Sequence, residues 1–136
     1  VKLLYYTDKD PLSQPVLTAE QKSKEVFEQL IKIVPKVVQR DDAKSILALK
    51  VIEGTKSSNE EFRDIKLSIE IFVPLTQWIF KNSNLRPFAI LGEIQKSLNN
   101  KTINGLGKLS GGDFSLSFLT EEMSCYEILF RITEYD

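Results

Sequence analysis

The stretch Phe62–Val73 places Ile65, Leu67, Ile69, Ile71 and Val73 at every second position, with Lys66, Ser68, Glu70 and Phe72 between them. Successive side chains of a strand point to opposite faces, so this period of two specifies a strand with one buried face. A helix cannot use that spacing, because its side chains return to one face every three to four residues. Pro74 follows at once and has no N–H to give a ladder, so the strand must stop or bend there. Ser45–Glu53 (SILALKVIE) is a second aliphatic run, separated from the first by the polar stretch Gly54–Glu61. The two predict an antiparallel hairpin with an open loop.

Helical signals flank that hairpin. Thr18 and Gln21 have the spacing of a capping box, and Val26, Phe27, Leu30, Ile31 and Val34 then form an apolar stripe that Pro35 should end. Val37 and Val38 fit either a last turn or a short strand. Leu85-Arg86-Pro87 opens a second helix, with Ile90, Leu91, Ile94 and Leu98 inward and Asn99-Asn100 closing it. A second hairpin follows. Phe114, Leu116 and Phe118 alternate with serines, and Tyr126, Ile128, Phe130 and Ile132 alternate with more polar residues, around the turn Thr120–Ser124. The order arm–α–β–β–α–β–β predicts a single α+β domain over residues 18–136, a mainly antiparallel sheet with both helices on one face. Residues 1–17 carry Pro11 and Pro15 and are expected to be an extended arm, frayed or docked on a neighbour.

Function must come from few chemical groups. The 136 residues contain no histidine and one cysteine, Cys125, which excludes a histidine triad, a Cys–His pair and the usual zinc sites. A net charge of -1 argues against a general nucleic-acid binder. Apolar runs fall short of the roughly 20 residues that cross a bilayer, and no signal-peptide pattern appears, so no membrane role and synthesis in a cytoplasm are expected. Gly105-Leu106-Gly107 lacks the lysine and following helix of a phosphate loop. The acid pairs Asp41-Asp42, Glu60-Glu61 and Glu121-Glu122 are sequence neighbours in loops and do not converge on one atom. Catalysis would fall to Asp, Glu, Lys or Tyr alone, and no convergent set is visible. The expectation is a non-enzyme with no cofactor and no metal.

Charge is uneven along the chain. Residues 81–120 carry five basic and two acidic side chains, and residues 121–136 one basic and five acidic. One subunit's basic rim could therefore meet the acidic rim of the next. Tyr5, Tyr6 and Leu12 are large for a free tail, and Trp78 suits core or subunit packing.

Three segments together carry a family resemblance: Val73-Pro74-Leu75-Thr76-Gln77-Trp78 after the long hairpin, Arg86-Pro87-Phe88-Ala89-Ile90-Leu91-Gly92-Glu93-Ile94 in the second helix, and Leu98 to Leu109 before the terminal hairpin. Over about residues 18–134 the chain resembles the tail-terminator and tail-completion proteins of tailed bacteriophages and the related head-to-tail neck proteins. The resemblance implies a structural virion protein, assembled in the host cytoplasm, that forms a homo-oligomeric ring at the head-proximal end of the tail or in the neck. A hexamer is favoured and a twelve-fold neck adaptor is the alternative. Its neighbours would be tail-tube and portal-side proteins, with the genome passing through the channel without sequence-specific binding. The loop carrying Lys56, Glu60 and Glu61 would face the channel or a neighbouring ring, as would Glu121 and Glu122. Tyr5, Tyr6 and Leu12 of the arm would touch a neighbour, and deletion of residues 1–16 is then expected to leave a folded subunit. A small ligand-binding or regulatory α+β module, with a pocket under the helices, is the competing reading.

Overall fold

The long hairpin and the terminal hairpin form the centre of one sheet. In the computed structural model, which describes residues 1–33, 44–56, 62–103 and 107–133, β2 (Ile46–Lys56) pairs antiparallel with β3 (Phe62–Pro74). β3 pairs antiparallel with β6 (Met123–Thr133), and β6 with β5 (Gly107–Leu119). Two short strands complete the sheet: β1 (Ile31–Ile33) lies parallel to β2, and β4 (Thr102–Ile103) antiparallel to β5. The order is β1-β2-β3-β6-β5-β4, an α+β architecture as the sequence predicts.

The period-two residues do what their spacing requires. Ile69, Ile71 and Val73 of β3 are buried beside Ile128, Phe130 and Ile132 of β6, and Ile65 and Leu67 are half-buried against them. The helix α1 (Lys2–Tyr5) and the helix α2 (Arg86–Leu98) lie over this face, where Ile90, Leu91 and Ile94 of α2 are buried and Leu98 packs at the rim. Asn99 and Asn100 end α2, Asn100 with φ 62° in the left-handed region that asparagine tolerates. The opposite face mixes apolar and polar groups. Ile46, Ala48 and Phe72 are buried there, beside a polar row in which Lys50 pairs with Glu70 and Ser68 Oγ donates to Glu127 Oε2 at 2.8 Å.

Two expectations change. The capping box forms, with Gln21 N–H donating to Thr18 Oγ1 at 3.2 Å and Thr18 N–H to Gln21 Oε1 at 2.9 Å. The helix behind it is a π-helical segment, Gln21–Phe27, shorter than the apolar stripe predicts. Val26 is buried, Phe27 is exposed, and Ile31 and Ile33 join the sheet. Leu47 N–H donates to Leu30 C=O at 2.8 Å and draws the chain to the sheet edge. β-Branched residues fit that pleated edge better than a helix. Val34, Pro35, Val37, Val38, Asp41 and Asp42 lie outside the described residues.

The segment 1–17 is not extended throughout. Besides α1 it contains a 3-10 turn, Pro11–Ser13, and Leu3, Leu4 and Leu17 are core residues. Arg86, only 1% exposed, holds it down. Its Nη1 donates to the carbonyls of Leu3 (2.5 Å) and Tyr6 (2.8 Å), its Nη2 to that of Asp8 (2.8 Å), and its Nε to that of Gln77 (2.9 Å). The guanidinium also lies over the Phe80 ring at 4.8 Å. Burial lowers the Arg86 pKa from its ordinary value, and the Asp8 carboxylate opposes that shift.

Candidate assembly interface

α2 is only 13 residues long and packs chiefly on β3, so among the described residues the far side of the sheet's helical face is left open. What lies there is aromatic. Phe88, in the first turn of α2, sits 5.4 Å from Tyr126 and 6.2 Å from Phe114, ring centre to ring centre. Phe114 and Trp78 each lie 6.3 Å from Tyr126. These separations are those of attractive edge and tilted ring pairs. Phe88, Phe114, Leu116 and Leu119 nevertheless remain 42%, 48%, 50% and 57% exposed. Trp78 is half-buried, because its indole N–H is committed inward to Ser124 Oγ at 2.8 Å and Ser124 Oγ in turn donates to the Val73 carbonyl at 3.0 Å.

The same strand forms the sheet edge. Among the described residues β4 covers only Gly107 and Lys108, and Leu109 exchanges bonds with Asn100 and Lys101. From Ser110 to Leu119 no strand lies on the outer side of β5 among the described residues. Exposed edges are ordinarily blunted by lysine, proline or bulges. Here the stretch Ser110–Leu119 contains neither lysine nor proline, and Asp113 is its one charge. Two bulges are present, between Gly111 and Asp113 and between Leu116 and Phe118, leaving Asp113–Leu116 in regular register. Gly111 (φ 110°) supplies the first: a Cβ there would come within 3.0 Å of the Leu129 carbonyl oxygen.

The remaining candidate residues fall elsewhere. Tyr5 and Tyr6 make an edge-on ring pair at 5.0 Å, and both hydroxyls are used within the chain. Gln21 Nε2 donates to Tyr5 Oη at 3.2 Å, and Tyr6 Oη donates to the Pro15 carbonyl at 2.8 Å. Leu12 is 65% exposed. Glu121 and Glu122 are exposed in the β5–β6 turn, at one end of the open edge, where Thr120 Oγ1 accepts the N–H groups of Glu122 and Met123. Glu60, Glu61 and the side chain of Lys56 lie outside the described residues, as do Gly105 and Leu106. The structure thus brings Trp78 to the aromatic face, beside Tyr126, and leaves Tyr5 and Tyr6 apart from it. Phe88, Phe114 and Leu116 were read from sequence only as helix and strand positions. The serine-separated spacing of Phe114 and Leu116 gave the strand, but not that its apolar face lacks a cover among the described residues.

Other groups offer little chemistry. Cys125 is fully buried, and burial together with the neighbouring Glu70 carboxylate pushes its thiol up to about 12, far from a reactive thiolate. Among the described residues no three acidic or thiol ligands cluster as a metal site would need. A depression of about 420 Å³ beside the first bulge is lined by Lys66, Ser110, Asp113 and Arg131, which carry mixed charge. No helix among the described residues is long and apolar enough to cross a membrane.

The family model described as YomW matches residues 1–132, and the chain belongs to that family, which is named for a phage protein. No curated protein matches the chain.

Proposed function

Taking the chain as a phage protein of the YomW family, we propose that it is a structural virion component that works by assembly and carries out no catalysis. The observation that carries this reading is the aromatic face on α2, β5 and β6, left half-exposed beside a strand edge that no other strand pairs among the described residues. Apolar patches of this kind, lined by aromatics, mark protein contacts. The finer placement rests on the resemblance to tail terminators and neck proteins: a ring at the head-proximal end of the tail, bounded by tail-tube and portal-side proteins.

Deleting the gene from a phage that carries it and imaging the lysate tests the placement. Filled heads and tails that accumulate unjoined, or tails of irregular length, support it. Intact infectious particles overturn it.

A further inference from the structure

We propose that the open edge of β5 is the contact between two copies of this chain, joined antiparallel about a two-fold axis through Ser115. The inference rests on reading this face as an assembly surface, and it names the occupant.

Three observations select a second copy. The first is charge. Lys108 and Glu122 lie seven residues to either side of Ser115, and Lys101 and Glu121 stand next to them. Antiparallel pairing centred on Ser115 brings the basic end of each edge to the acidic end of the other, twice per pair. It also sets Asp113 beside a serine of the second copy and not beside its own equivalent, so no like charges oppose one another. The second is register. The two bulges flank Asp113–Leu116, so the regular stretch lies at the proposed centre. There Phe114 of each copy faces Leu116 of the other, both on the aromatic face, an aromatic–aliphatic pair of the kind that stabilises adjacent strands.

The third is area. At roughly 150–250 Å² per large side chain, the exposed parts of Phe88, Phe114, Leu116 and Leu119 amount to on the order of 400 Å². An interface of ordinary size takes about 800 Å² per partner, about 65% of it apolar between identical subunits. The patch supplies most of that apolar share before the paired backbone is added. A two-fold contact of this kind closes at two copies, and any ring built from such pairs has two like faces, so the pair belongs to the free chain, and a polar ring between tail tube and portal needs a head-to-tail contact in its place.

The experiment is sedimentation velocity with light scattering on the purified chain across a concentration series. Alongside it run Leu116→Lys, the pair Glu121→Lys with Glu122→Lys, and that pair combined with Lys101→Glu and Lys108→Glu. Circular dichroism and melting curves confirm that each variant is folded. The expected result is a dimer, or an even-numbered assembly that falls to smaller units in Leu116→Lys. Dissociation constants should rise about tenfold or more for Leu116→Lys and for the acidic pair, with recovery in the four-site charge swap. A monomer at every concentration overturns the proposal, as does a dimer indifferent to Leu116→Lys. A ring that survives Leu116→Lys overturns the edge contact while leaving the structural role standing, so the two readings fail separately.

Discussion

Arg86 Nη1 donates to the carbonyl oxygen of Leu3 at 2.5 Å, across 83 positions of sequence. A buried guanidinium that meets mainly backbone carbonyls is costly to desolvate, and it is tolerated because four of them converge on it. Replacing it with methionine leaves those carbonyls without their donor. Arg86→Met is expected to lower stability by about 3 kcal/mol or more, read by urea denaturation, and Arg86→Lys to recover only part because its ammonium cannot span the fork.

The same contacts reverse the expectation for truncation. An extended arm could be removed without unfolding the domain. Here deletion of residues 1–16 uncovers the core around Leu3 and Leu4 and strips three carbonyls from Arg86. The truncated chain should melt far below the full one, or fail to fold, in a calorimetric scan. A truncated protein with an unchanged melting temperature would show that the N-terminal contacts contribute no stability.

Cys125 sets an alkaline limit on stability. Its folded pKa of about 12 lies above that of a free thiol, so the folded state holds the proton more tightly than the unfolded chain. This contribution is complete below about pH 8.5 and is lost as pH rises from there toward the folded value. Cys125→Ala should flatten the fall in stability between about pH 9 and pH 11 relative to the parent chain. Identical slopes for the two proteins would remove the effect.

Trp78 reports on the aromatic face. Ser124→Ala takes away the acceptor of its indole N–H and should cost about 1–2 kcal/mol, with a changed fluorescence maximum, since this is the one tryptophan. Unchanged emission and stability would show that the bond is idle.

Thr18→Ala removes the side-chain half of the capping box and should cost about 1 kcal/mol in denaturant unfolding. The Gln21 side chain still reaches the backbone N–H of residue 18, so Thr18→Ala combined with Gln21→Ala should cost more than either change alone.

The alternation Ile65 to Val73, the stripe Ile90 to Leu98 and the box Thr18–Gln21 were legible because each rests on local geometry. Side-chain period and cap spacing are properties of a short segment and need no partner. Those signals determined the two hairpins, the long helix and the α+β class. Tertiary contact decided the rest. Ile31 and Ile33 satisfy a helical stripe and a strand equally well, and only the edge of β2 chose between them. Arg86 reads as a helix N-terminus in the sequence, and becomes the anchor of residues 3–8 only because three distant carbonyls meet at one point. Phe114 and Leu116 alternate like core residues. They lie half-exposed because a 13-residue helix packs chiefly on β3 and, among the described residues, nothing covers them further out on the sheet. Burial depends on what else arrives at a surface, which no local pattern encodes.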